Sequence, residues 1–100
     1  MTEMKYNEQS SRYEAHVDGE TVGFIDYRRE GDTIVAIHTQ IGEQHQGEGL
    51  GGKLVANFLD DARASGLNVL PQCGYVASVI SKNEQYIDLV PAERRRDFGL

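Results

Sequence analysis

Gln44-His45-Gln46-Gly47-Glu48-Gly49-Leu50-Gly51-Gly52-Lys53 is the stretch on which the fold turns. Four glycines in six positions let backbone N–H groups approach a ligand with no side chain in the way. Directly behind them Leu50, Leu54, Val55, Phe58, Leu59 and Ala62 recur at spacings of three and four, the apolar stripe of an amphipathic helix. A glycine loop that opens a helix offers free N–H groups and the positive end of the helix dipole. Such a site suits a phosphate or pyrophosphate. Gly66 after Ser65 reads as a left-handed helix stop, with Leu67 placed for the accompanying apolar contact.

Upstream of the loop the pattern has period two. Tyr13, Ala15 and Val17 alternate with Glu14 and His16, and Asp18-Gly19 is a two-residue hairpin turn. Residues 20–27 read as the returning strand, and Gly31 supplies the next turn. Residues 33–39 are apolar on both alternating faces and read as a central strand, so three antiparallel strands are expected. Downstream, a short strand through residues 68–70 should end at Pro71. A helix fits residues 75–82 with Val76, Val79 and Ile80 inward, and a last strand fits residues 86–90, stopped by Pro91. The expected order is β-β-β-α-β-α-β, a mixed α/β domain of sheet and helices.

At 100 residues the chain is expected to be one domain over residues 1–100, its core spanning about residues 10–90. With 39% hydrophobic and 26% charged residues it has an ordinary globular composition. No apolar run approaches the roughly 20 residues of a membrane span, and the polar first ten residues do not read as a signal peptide. The single cysteine, Cys73, allows no internal disulfide, and together these features point to the cytoplasm. A net charge of −6 argues against nucleic acid as a partner and favours protonated amines. The cluster Arg94-Arg95-Arg96 reads as a solvated end.

Three short motifs overlap in the loop. Gly47, Gly49 and Gly52 satisfy the dinucleotide pattern G-x-G-x-x-G. That reading needs a strand running straight into the first glycine and an acidic residue about 20 positions on. Here a polar stretch intervenes, and Pro71 and Gln72 stand where the acid should be. Gly47 with Gly52-Lys53 approaches the P-loop, which needs a hydroxyl after the lysine to hold magnesium. Position 54 is leucine. Gln44, Gly47 and Gly49 satisfy Q/R-x-x-G-x-G/A, and this motif resembles the acetyl-CoA pyrophosphate loop of GNAT acetyltransferases.

The resemblance covers roughly residues 10–90 and is tightest between His38 and Leu54. It is closest to the small single-domain GNAT subgroup, which carries a His-Thr pair before the loop and a Pro-x-Cys with a nearby Tyr after it. The corresponding residues are His38-Thr39, Pro71-Gln72-Cys73 and Tyr75. Where the subgroup has a His-Pro-Glu-Tyr-like stretch, this chain reads Asn83-Glu84-Gln85-Tyr86. The resemblance implies antiparallel N-terminal strands followed by β-loop-α-β-α-β around a central mixed sheet. The implied function is an acetyl-CoA-dependent transfer of acetyl to an amine, either a protein lysine or N-terminus or a small polyamine. A module that binds coenzyme A without catalysis is the alternative. The extra N-terminal helices of larger relatives are missing, so the acceptor groove is expected to be open or completed by a partner.

Under that resemblance the coenzyme is held by Thr39, Gln44, His45, Gln46, Gly47, Glu48, Gly49, Leu50, Gly51 and Gly52. His38 is the candidate base, imidazole being the side chain that exchanges protons near neutral pH; otherwise it is a buried histidine bonded to a backbone carbonyl. Cys73 would accept acetyl transiently or protonate the leaving thiolate, unless it is simply a buried small residue. Tyr75 competes for the thiolate role, and direct transfer without an acetyl-cysteine is the default. No metal is expected, because His38, His45 and Cys73 lack a ligand spacing and a fourth partner. Lys53 reads as a surface helix residue.

Overall fold

In a computed structural model of the chain, residues 2–100 are described. Five strands form one sheet in the order β1 (Thr2–Asn7), β2 (Arg12–Val17), β3 (Glu20–Glu30), β4 (Thr33–Ile41) and β5 (Asn68–Pro71). The first four pair antiparallel and β5 joins β4 in parallel. Helix α1 (Leu50–Ala64) makes the crossover between them, and α2 (Gly74–Lys82) follows β5. The expected class, a mixed sheet with antiparallel N-terminal strands, is what the chain adopts.

Local chemistry explains the elements. Asp18 and Gly19 both have positive φ, 51° and 86°, the backbone of a two-residue hairpin turn that follows the strand twist. The stripe on α1 is buried in full: Leu50, Leu54, Val55, Phe58, Leu59 and Ala62 all pack into the core. Its C-terminus closes through Gly66 at φ 70° and the bond from Leu67 N to Ala62 O, 2.9 Å, the left-handed stop expected there. Against α1 the sheet presents Tyr13, Ala15, Ile25, Ile34 and Ala36.

Two expectations are corrected. Residues 2–7 form a fourth antiparallel strand; only Met4 and Tyr6 of it reach the core, so its alternation is too thin to read. The last strand expected at residues 86–90 is instead a 3-10 helix, Glu84–Leu89. Tyr86 and Leu89, three apart, are both buried, and that spacing is one face of a three-residue turn. A further 3-10 segment, Ala92–Phe98, closes the chain.

The feature that shapes the site lies in β4. Asp26 faces His38 and the next residue, Tyr27, faces Ala36, so Ile37 is an extra residue, a β-bulge. Pairing between β4 and β5 stops at Ala36 and Pro71. Strand β5 ends there while β4 runs on to Ile41, so beyond the bulge β4 has no strand on its β5 side among the described residues.

Candidate active site

The bulge resets the alternation of β4. Ile34 and Ala36 point to the helices; beyond Ile37 that face passes to Thr39 and Ile41, while His38 and Gln40 turn away. Gly23, opposite Ile41, accommodates this packing, since a Cβ there would lie 2.6 Å from Ile41 Cδ1. Thr39 meets Cys73 across the opening, with Oγ1 and Sγ hydrogen-bonded at 3.3 Å. Cys73 is 8% exposed, and its N–H donates to Ala36 O at 2.9 Å, which holds the start of α2 against the bulge.

The glycine stretch completes the other wall. A short 3-10 turn, Glu43–His45, follows β4. His45 Nδ1 bonds Glu48 Oε1 at 2.9 Å, and Gln46 Nε2 donates to Ile41 O at 3.1 Å, which ties the loop to the strand. Gly47 and Gly49 take φ of 86° and 77°, a conformation costly for residues with a Cβ. Gly49 caps α1 with no side-chain hydrogen bond, and the first turn carries no acidic residue. The opening N–H groups of α1 therefore face outward without competition from a side chain.

These parts enclose a groove of about 510 Å3. Strand β4 supplies Thr39 and Ile41; the loop supplies His45, Gln46, Gly47 and Gly49; α1 supplies Leu50 and Gly51; and Tyr75 stands opposite. Tyr75 is 46% exposed, and a Cβ on Gly51 would come within 2.9 Å of its hydroxyl. The tyrosine thus leans on the bare first turn of α1. A pyrophosphate suits this lining, because glycine backbone, a helix N-terminus and no carboxylate converge on it.

The remaining expected residues fall around the groove rather than in it. Gln44 is exposed and lines a separate cleft with Glu20 and Thr21. Glu48 is exposed and held by His45. Gly52 lies beyond Tyr75 in a neighbouring depression. His38 is exposed on the opposite face of the sheet, beside Phe24 with ring centroids 6.5 Å apart, and its Nε2 lies 3.4 Å from Gln40 Oε1. The alternative of a buried histidine is therefore excluded. Ile41 lines the groove and was missed, since nothing in a lone isoleucine marks it. Among the described residues no group of three His, Cys, Asp or Glu side chains is placed to hold a metal ion, and no helix is long and apolar enough to cross a membrane.

A strand that outruns its parallel neighbour and a glycine-capped helix beside it thus frame one groove. Comparison with known proteins is more specific. Residues 12–89 match the family model described as GCN5-related N-acetyl-transferase. The chain belongs to the GCN5-related N-acetyltransferase (GNAT) family, among its small domains of about 100 residues. The solution structure of a GCN5-like protein from Staphylococcus aureus is similar in fold, with a TM-score of 0.68 at 23% identity, over 89% of this chain and 87% of that one. None of the curated proteins matches.

Proposed function

We propose that this protein is an acetyl-CoA-dependent N-acetyltransferase of the cytoplasm that acts on an amine reaching the open face of the sheet. Members of the family generally use acetyl-CoA. One observation carries the reading: the uncapped, acid-free first turn of α1 opens onto a groove that runs along β4 to the Thr39–Cys73 pair.

Bound acetyl-CoA supplies an acyl group already activated as a thioester, so positioning and charge stabilisation carry most of the rate. Residues 47–52 hold the pyrophosphate, and Tyr75 walls the groove beside them. Beyond Ala36, β4 has no strand on its β5 side among the described residues, which leaves backbone groups to align the pantetheine arm and polarise the thioester oxygen. His38, on the far face of the opening, takes the proton from the incoming ammonium. The freed amine forms a bond to the acyl carbon as the carbon–sulfur bond breaks. Cys73, held by Thr39, would give its proton to the departing sulfur and take one back from the nitrogen, which sheds its second proton as the amide forms. The acceptor is a protein lysine or N-terminus, for which an open sheet face leaves room, or a small polyamine, which the net charge of −6 would attract.

The test has two stages. Coenzyme A and acetyl-CoA, but not ATP or NAD, should stabilise the fold by about 2.7 kcal/mol at 100 times the dissociation constant. With an amine panel and acetyl-CoA, His38→Ala and Cys73→Ala should then lose turnover while still binding coenzyme. Binding without acetylation of any amine would leave a coenzyme-binding module in place of an enzyme. No response to either coenzyme form would remove both readings.

A further inference from the structure

Strand β1 is one edge of the sheet: β2 pairs with one side of it, and among the described residues no strand lies on the other. An edge strand leaves a row of N–H and C=O groups free to pair with another chain. Along β1, Met4 and Tyr6 pack toward the core, so Glu3 and Lys5 stand together on the opposite face of the sheet. Both are exposed, and neither enters an ion pair among the described residues. Their register partners on β2 are engaged elsewhere. Lys5 faces Glu14, whose carboxylate accepts from Asn7 Nδ2 at 3.3 Å and bonds His16 Nε2 at 2.9 Å; Glu3 faces His16 itself.

A second copy of β1 laid antiparallel on this edge has few registers open to it. In a two-fold symmetric pair, if one residue faces another, the reverse contact is also made. Facing residues of an antiparallel ladder either exchange both hydrogen bonds or exchange none. Outward-pointing backbone groups recur at every second residue, so two facing residues of β1 are both odd-numbered or both even-numbered. Pairing centred on Glu3 sets Glu3 against Glu3, and pairing centred on Lys5 sets Lys5 against Lys5. Like charges directly opposite are destabilising. Pairing centred on Met4 sets Glu3 against Lys5 on both sides of the axis. Centres farther along leave most of the strand unpaired.

We propose that the β1 edge is a homodimer interface, in which two copies join through antiparallel β1 strands centred on Met4 with Glu3 and Lys5 as reciprocal ion pairs. The two five-stranded sheets then run on as one. On the helix side Met4 is half-buried and lines a cleft of about 380 Å3 with Thr2, Lys53, Ala56 and Asn57. It lies on the axis and meets its own copy there, while Tyr6 faces the partner's Thr2. Strand β4, which walls the candidate groove, is on the far side of the sheet from β1, so both grooves stay open in the dimer. The inference stands independently of the coenzyme reading.

Sedimentation velocity of the wild type, Glu3→Lys, Lys5→Glu and the double reversal, each over about 1 μM to 1 mM protein, tests it. The wild type should pass from monomer to dimer within that range, because one strand pair is a small interface. Either single reversal sets like charges opposite each other on both sides of the axis and should weaken dimerisation about tenfold. The double reversal exchanges the two charges and should restore the wild-type dimer. Circular dichroism of each variant should show the wild-type fold and thermal midpoint at low concentration, since both side chains are exposed and unpaired. A wild type that stays monomeric throughout, a dimer unmoved by either single reversal, or a double reversal that fails to restore it overturns the assignment.

Discussion

Gly51 shows how much one missing atom decides. A Cβ there meets the Tyr75 hydroxyl at 2.9 Å, yet Tyr75 is an exposed side chain free to swing away. Alanine at an α-helical position is favoured over glycine by roughly 0.5–1 kcal/mol. Gly51→Ala should therefore leave the thermal midpoint unchanged or slightly raised while coenzyme affinity, read by titration, falls severalfold. Gly49 behaves differently because its φ of 77° is left-handed. Gly49→Ala should cost about 1–2 kcal/mol in denaturant titrations as well as weaken binding. The glycines were legible as a group, from spacing alone. Their division of labour was not, because one is required by its backbone angle and the other by the ring lying against it. The face of His38 was hidden for a related reason: strict alternation from Ile34 puts it with Ala36 toward the helices, and the extra residue at Ile37 reverses that.

Helix α1 links the core to the site. Six apolar side chains on one face fix its height over the sheet, and its first turn is where the proposed coenzyme site lies. Phe58 is fully buried and packs edge-on against Tyr13 with centroids 5.6 Å apart. Phe58→Ala should cost about 3–5 kcal/mol in a urea titration, enough to unfold much of a domain this small. At the other end, Gly66→Ala strains the φ 70° stop and should cost about 1–2 kcal/mol. Helices with six-residue stripes announce themselves in sequence. Short segments do not: residues 86–90 carry four apolar side chains in five positions, which suits a strand or a 3-10 face alike. Tertiary packing of Tyr86 and Leu89 decides between them.

At the scale of the whole molecule, three tyrosines cluster between the sheet and α1. Burial pushes Tyr6 up to about 12. Tyr13 is raised by burial and by its 2.6 Å bond to Asp61, and Tyr27 is raised by burial. A tyrosine in the unfolded chain ionises near pH 10. Above that pH the native state holds protons that the unfolded state has released, so unfolding is favoured as pH rises. Urea midpoints should be flat from about pH 8 to 9.5 and fall between pH 10 and 12. Replacing Tyr6 with phenylalanine should make that fall shallower.

The opening of the sheet at Ile37 also sets a pattern in time. Residues 34–36 of β4 are flanked by strands on both sides, whereas residues 38–41 pair with β3 alone among the described residues. Amide protons on the bare side should trade with deuterium in solvent far sooner than those a few residues earlier in the same strand. Coenzyme laid along that edge would act as the absent neighbour and slow them. One continuous strand would then report, amide by amide, how far along its edge the pantetheine arm reaches.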